Sequence, residues 1–133
     1  MAYDLELEFH LPVSPEKVMR LLTEPELMKA WSGNKAKMEN HPGGKLEMFD
    51  SWVSGEVVKT GDNELVYTWS VIEWDKEVPP TTVHYNLIPE NGATKIELKH
   101  TGFTSEEEMN KHESGWTQYF FGPMENYILE YDF

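Results

Sequence analysis

The fold is decided by the stretch LELEFHLPVSPEKVMRLLTEPELMKAW, residues 5–31, which contains one strand and two short helices. Apolar and polar residues alternate through Leu11, as they do in a half-buried strand. Ser14 and Pro15 then predict a helix N-cap and the first helical residue, while Pro25 begins a second helix that stops near Gly33. Two short helices directly after one strand are informative, because they limit the topologies that the rest of the chain can form.

The middle of the chain has the character of an antiparallel sheet. Strands are predicted at residues 35–40, 45–49, 53–60, 64–72, 82–88 and 94–101. Asn91-Gly92 is a typical hairpin turn between the last two of them. Residues 73–80, which include Trp74 and the pair Pro79-Pro80, predict a loop.

A long aromatic helix is predicted to close the chain. Ser105 and Glu108 form a capping box at its start. Its apolar face is predicted to contain Trp116, Tyr119, Phe120, Met124, Tyr127 and Ile128. Pro123 should kink this helix or divide it in two. The order predicts an α+β helix-grip fold, in which a curved antiparallel sheet grips a long C-terminal helix over residues 105–129 and two short helices follow the first strand.

Composition limits the classes of function. The 133 residues are the size of one domain, predicted to span residues 1–133, and they include no cysteine. The net charge of −13 disfavours nucleic acid and anionic membranes as partners. The apolar runs are far shorter than a spanning helix, and the start of the chain does not resemble a secretory signal. We therefore expect a cytoplasmic protein.

Seven short motifs occur in a familiar order. They are VSPEKV at 13–18, PEL at 25–27 with Trp31, PGG at 42–44, GEV at 55–57, YTW at 67–69, LKHTGF at 98–103, and His112 with Gly115-Trp116. Together, over residues 8–128, they resemble the family named for the activator of the ninety-kilodalton heat-shock protein's ATPase. That family belongs to the START-like, or SRPBCC, superfamily of helix-grip ligand-binding domains.

The resemblance implies the fold more closely than it implies the function. The family includes co-chaperone domains, and the wider superfamily adds lipid and hormone carriers, polyketide cyclases and aromatases. The eukaryotic activators carry an additional N-terminal domain for chaperone contact. Because these 133 residues lack one, we expect a short stand-alone member of the bacterial type, for which a co-chaperone role is the less favoured expectation.

Aromatic residues provide the main indication of a site. The chain has five Trp, six Tyr and six Phe although it is otherwise polar. A ligand cavity between the sheet and the terminal helix is predicted to be lined by Tyr67, Trp69, Tyr85, His100, Trp116, Tyr119 and Phe120. The rings would supply contact area, while the tyrosine hydroxyls and His100 would orient the ligand. The alternative is that the same rings simply fill the core.

Catalytic and metal-binding patterns are missing from the sequence. No nucleophile elbow, P-loop, dinucleotide fingerprint or zinc-protease motif occurs, so we expect no catalytic residues, no metal and no cofactor. His100 and His112 are interpreted as structural, with a role as proton donor or ligand hydrogen-bonding group as the alternative. Arg20 is the only arginine. We therefore expect no bidentate anion site inside the cavity. The expected ligand is flat and either neutral or cationic.

Three functions follow, in order of preference. The first is a non-enzymatic binding module whose cavity accepts a small apolar or aromatic molecule. The second is a co-chaperone-like regulator that acts on a chaperone or another protein through its surface. The third is a cyclase or hydrolase that uses His100 and a tyrosine.

Overall fold

The computed structural model describes residues 2–133 and has one antiparallel sheet with helices on one side. The strands are β1 (Tyr3–Leu11), β2 (Lys37–Met38), β3 (Lys45–Met48), β4 (Val53–Thr60), β5 (Glu64–Val71), β6 (Thr81–Glu90) and β7 (Ala93–Phe103). The helical elements are α1 (Pro15–Thr23), α2 (Pro25–Ser32), α3 (Glu106–Gly115), a π-helical segment (Trp116–Phe121) and α4 (Gly122–Tyr131). Every predicted element is present, with ends within about two residues of the predicted ones.

The seven strands follow the spatial order β1-β7-β6-β5-β4-β3-β2. Residues alternate between buried and partly exposed along β5 and β6, so one face of the sheet carries the core. The terminal helical elements cover this face. Tyr85 of β6 lies 6.0 Å from Trp116 and 6.4 Å from Phe120, measured between ring centroids. The α+β helix-grip prediction is confirmed. Trp116 and Phe120, which were predicted on the apolar face of the terminal helix, are each 2% exposed.

The two short helices form as their sequence signals predict. The Ser14 hydroxyl accepts a hydrogen bond from the backbone of Lys17 at 3.4 Å, and Pro15 is the first residue of α1. The Trp31 indole of α2 donates to the backbone carbonyl of Leu21 at 2.9 Å, which joins the two helices through a buried bond. Gly33 ends α2 in the left-handed conformation, with φ at 76°. The two helices pack against each other, and α2 also packs against α4.

Pro123 divides the terminal helix, as predicted. Because proline lacks an N–H and its ring would collide with the carbonyl of Tyr119 in a regular α-helix, the preceding turn has to widen. The chain widens it as a π-helical segment, in which Gly122 donates to Thr117, five residues back. α4 then begins with Pro123 in its first turn, where the missing N–H costs nothing.

The helices of the described residues do not provide a membrane span. Within residues 2–133, none of them combines the length and the apolar character needed to cross a bilayer.

Substitution of Gly55 by alanine should destabilise the sheet. A Cβ at this position would lie 1.8 Å from the Thr68 carbonyl oxygen on β5, and neither backbone can move without breaking strand pairing. We expect a loss of about 1–3 kcal/mol in the free energy of unfolding, measured by urea denaturation. The matched control is Gly61→Ala, which has open space around its Cβ and should change stability by less than about 0.5 kcal/mol. Equal losses for the two variants would contradict this explanation.

Candidate functional site

An open pocket lies where the sheet, the β3–β4 connection and the terminal helix meet. Its volume is about 220 Å³. It is lined by Phe49, Trp52, Trp69, Glu108, Lys111, His112, Gly115, Trp116, Tyr119 and Phe120, which together we name the aromatic pocket. An apolar cavity of about 150 Å³ can hold benzene, so this pocket has room for a molecule of one or two small rings.

The predicted lining residues divide into two groups. Trp69, Trp116, Tyr119 and Phe120 line the aromatic pocket. Tyr67, Tyr85 and His100 lie behind it, each with an exposed fraction of 1% or less. The pocket is thus at the end of the sheet–helix interface and not in its middle, where the rings pack against one another.

The two core tyrosines satisfy each other. Their hydroxyl groups, on Tyr67 and Tyr85, are hydrogen-bonded together, and their rings meet edge to face with centroids 5.5 Å apart. Complete burial raises the pKa of both phenols above the ordinary value of 10.0. The hydroxyls predicted to orient a ligand are therefore protonated and directed at each other.

The π-helical segment determines which of its rings face inward. Bonds from residue i to i+5 widen the turn, so that positions i+4 and i+5, and not i+3, lie beside position i. Trp116, Phe120 and Phe121 are accordingly all buried. The inward direction predicted for Tyr119 is wrong: its side chain is 62% exposed and forms the rim of the aromatic pocket. Phe121, which α-helical spacing did not select, stacks on Phe9 of β1 instead.

A chain of hydrogen bonds fixes His100 in the core. The Trp116 indole donates to Nδ1 of His100 at 3.1 Å, and Nε2 lies 2.7 Å from the Thr81 hydroxyl. That hydroxyl donates its own hydrogen to the Trp69 carbonyl at 2.9 Å. Nε2 must therefore carry the imidazole hydrogen and donate it to Thr81. The ring is held as one neutral tautomer with both nitrogens engaged.

His112 has the opposite tautomer for the same kind of reason. The Trp69 indole donates to its Nε2 at 3.1 Å, so its Nδ1 carries the hydrogen and donates to the Glu108 carbonyl at 2.9 Å. The two indoles that form the inner wall of the pocket are thus each locked by a histidine. This pairing gives the wall a defined shape before any ligand arrives.

Burial keeps both histidines neutral. It lowers the pKa of His100 from 6.5 to about 2, with a further contribution from the nearby His112. Burial also lowers the pKa of His112, partly offset by its bond to the Glu108 backbone. Neither ring has a free nitrogen to exchange a proton with a ligand. Within residues 2–133, no three acidic or imidazole side chains are grouped closely enough to hold a metal ion.

The β3–β4 connection is a strained wall of the pocket. Phe49, Asp50 and Ser51 all have positive φ, at 56°, 56° and 71°, which is unfavourable for residues with a Cβ. The backbone of Asp50 donates to the Lys35 carbonyl at 3.1 Å, and its carboxylate accepts from the Lys35 backbone at 2.8 Å. These bonds hold the loop so that Phe49 and Trp52 face the helix. Strain of this kind is concentrated at binding and catalytic sites.

The predicted cavity lining omitted six of the ten residues that line the pocket. Phe49 was predicted as the last residue of strand 45–49 and Trp52 fell in the link before strand 53–60, although two large rings so close to a polar turn are a usable signal. Gly115 contributes space rather than contact, since a Cβ there would come no closer than 4.0 Å to Tyr119. Lys111 and Glu108 lie one turn and two turns before it on the same helix, and add charge at the mouth.

Comparison with known proteins gives consistent results at the level of sequence. Residues 12–128 match the family model described as Activator of Hsp90 ATPase homolog 1-like protein. The chain is 32% identical to the human Activator of 90 kDa heat shock protein ATPase homolog 1 over 109 residues. The aligned residues cover 81% of this chain and 32% of the human protein. The chain thus spans about a third of the length of the curated relatives it matches.

Solved structures agree on the fold. A crystal structure of an HSP90 activator from Plasmodium falciparum has a TM-score of 0.83 and 25% identity, covering 92% of this chain and 93% of that one. The structure of a Mesorhizobium loti protein also has a TM-score of 0.83, with 24% identity over 96% of this chain and 98% of that one. The second similarity concerns the fold alone.

Proposed function

This chain belongs to the family of Activator of Hsp90 ATPase homolog 1-like proteins, and from that premise we propose that it is a non-enzymatic binding module for a small aromatic molecule. Proteins of this helix-grip fold include ligand-binding and co-chaperone-like members. The observation that carries the proposal is the aromatic pocket itself. Six rings surround an open volume of about 220 Å³ next to a π-helical segment and a strained loop.

The walls of the pocket favour a flat, mostly apolar ligand. Trp69 and Trp116 form the inner wall with centroids 5.0 Å apart, and their indole N–H groups already have histidine acceptors. These two rings are 3% and 2% exposed and form the back of the pocket, whereas Trp52 and Tyr119, at 39% and 62%, supply most of the open apolar area. The wall therefore has few unpaired polar groups. Such a surface stabilises a ligand by stacking and by burial of apolar area rather than by many hydrogen bonds.

The experiment is a screen of small neutral aromatic compounds by protein-detected NMR. The five indole N–H signals provide the readout, because Trp52, Trp69 and Trp116 line the pocket and Trp31 does not. A ligand in the pocket should shift the first three signals and leave the Trp31 signal in place. Shifts spread evenly over all the indoles, or none at all, would contradict the proposal.

Gly115→Leu should abolish binding without unfolding the protein. The glycine has helical φ and lines the pocket, so a leucine there fills the space that the ligand needs. Helix propensity favours leucine over glycine by about 0.5–1 kcal/mol, so the free energy of unfolding should not fall. Ser114→Leu, on the exposed side of the same turn, is the matched control and should bind as the wild type does. Retained binding in Gly115→Leu would mean that the ligand lies elsewhere.

A second candidate is a regulator of a chaperone of the 90 kDa heat-shock type. It is favoured by the 32% identity to the human activator. Trp52 and Tyr119 expose apolar surface at the pocket, and the exposed Ile72 is next to Trp52, whose carbonyl accepts from the Ile72 backbone at 2.9 Å. This surface is available to contact a protein. The test is the ATPase rate of such a purified chaperone with and without this chain. An unchanged ATPase rate, together with no co-purification of the chaperone with this chain, would eliminate this candidate while leaving the first one intact.

A further inference from the structure

The charges around the aromatic pocket are mostly negative. Glu108 lies in the lining, and the Trp52 indole donates to the carboxylate of Glu73 at 2.8 Å. Lys111 also lines the pocket, but its ammonium group lies 3.5 Å from a carboxylate oxygen of Glu107 and 4.0 Å from one of Glu108. Glu108, whose carboxylate also accepts from the Trp74 indole at 2.9 Å, and Lys111 thus line the pocket, while Glu73 and Glu107 lie next to lining residues. The whole chain has the same sign, with a net charge of −13.

Aromatic faces and carboxylates attract the same kind of group. The face of an indole, phenol or benzene ring carries partial negative charge and binds cations, with tryptophan the strongest of the three. Three of the six rings in the pocket belong to tryptophans, namely Trp52, Trp69 and Trp116. The bond from the Trp52 indole to Glu73 increases the negative charge on that ring, because the carboxylate polarises the N–H group toward itself.

We propose that the preferred ligand of the aromatic pocket is an organic cation, an ammonium or quaternary ammonium group attached to a small apolar or aromatic body. This inference rests on the proposed binding function and narrows it to one class of ligand. The exposed Trp52 and Tyr119 rings contact the cationic group, the Glu73 carboxylate beside Trp52 offsets its charge, and the acidic surface raises its local concentration. Lys111 does not oppose the cation strongly, because Glu107 and Glu108 already offset its charge.

The test compares two molecules of nearly equal shape. Phenyltrimethylammonium carries the cation, and tert-butylbenzene replaces the nitrogen with a neutral carbon. Phenylacetate serves as the anionic probe. Binding to the full chain is measured by the indole N–H shifts at pH 7 in 20 mM and 300 mM NaCl. We expect the cation to bind about five- to thirty-fold more tightly than the neutral molecule, which corresponds to about one or two kcal/mol. Its affinity should fall with added salt, whereas that of the neutral molecule should not.

Two variants locate the effect. Glu73→Gln removes one rim charge at almost constant shape, and Trp52→Leu removes one ring at a position that is 39% exposed. Each should weaken binding of the cation several-fold and binding of the neutral molecule by a clearly smaller factor. Glu77→Gln, in the same loop as Glu73, is the charge-matched control and should leave both affinities unchanged.

The outcomes separate this inference from the proposed function. Tighter binding of the cation, weakened by salt and by both variants, supports it. Equal or tighter binding of tert-butylbenzene inside the pocket overturns the inference and leaves the binding function in place. Tightest binding of phenylacetate also overturns it and assigns the selectivity to Lys111. If none of the three probes shifts the indole signals of the pocket, both proposals fail.

Discussion

Truncation of Trp116 to alanine should lower the free energy of unfolding by about 3–5 kcal/mol, the usual range for a buried tryptophan or phenylalanine. The side chain is 2% exposed, and its ring centroid lies 4.6 Å from that of Phe120 and 5.0 Å from that of Trp69. Removing it also leaves Nδ1 of His100 without its hydrogen-bond donor. Urea denaturation followed by far-UV circular dichroism at pH 7 measures the change without relying on the tryptophan itself.

Two further variants separate packing from hydrogen bonding at this position. Trp116→Phe keeps an aromatic ring but removes the indole donor, and should cost about 1–3 kcal/mol. Tyr119 belongs to the same π-helical segment, but its side chain is 62% exposed. Tyr119→Ala should therefore change the free energy of unfolding by about 0.5 kcal/mol or less. A similar loss for Trp116→Ala and Tyr119→Ala would mean that the helical segment does not have the structure described.

Acidification should destabilise the protein through His100. Its pKa is about 2 in the folded chain and 6.5 as a free group, so between these values the unfolded chain binds a proton that the folded chain does not. The contribution of His100 to the free energy of unfolding is therefore fully present above pH 6.5. Below that value it falls by about 1.4 kcal/mol per pH unit for one such group. Between pH 7 and pH 5 the loss from His100 is about 2 kcal/mol. His112, whose pKa is also lowered by burial, acts in the same direction.

The measurement is the free energy of unfolding of wild type and His100→Gln at pH 7, 6 and 5. The glutamine variant should be less stable at pH 7. The slope of its free energy of unfolding against pH should be smaller than that of the wild type by about 1.4 kcal/mol per pH unit. His10→Asn is a useful contrast. Glu8 and Glu90 raise the pKa of His10 through hydrogen bonds, so this group stabilises the fold at low pH and loses its effect as the pH rises. Identical slopes for wild type and His100→Gln would contradict the neutral, buried state assigned to His100.

The sequence by itself determined the elements and their order. Alternation in residues 5–11, the Ser14-Pro15 and Pro25 helix starts, and the Asn91-Gly92 turn are local signals, and each of them acts through its own backbone or near neighbours. The family resemblance agreed with that order, and residues 12–128 match the family. Local chemistry was sufficient here because strands, caps and turns depend on contacts within a few residues.

Only the tertiary structure decided where the pocket lies and which rings form it. The sequence predicted Tyr67, Tyr85 and His100 among the cavity residues because alternation places each on the inward face of its strand, but whether that face is filled or open depends on what covers it. Pro123 widens the helix into a π-helical segment, which turns Phe121 inward and Tyr119 outward. The strained loop then brings Phe49 and Trp52 to the opposite wall. A pocket is the space left between elements that are distant in the chain, so its position follows from how those elements pack.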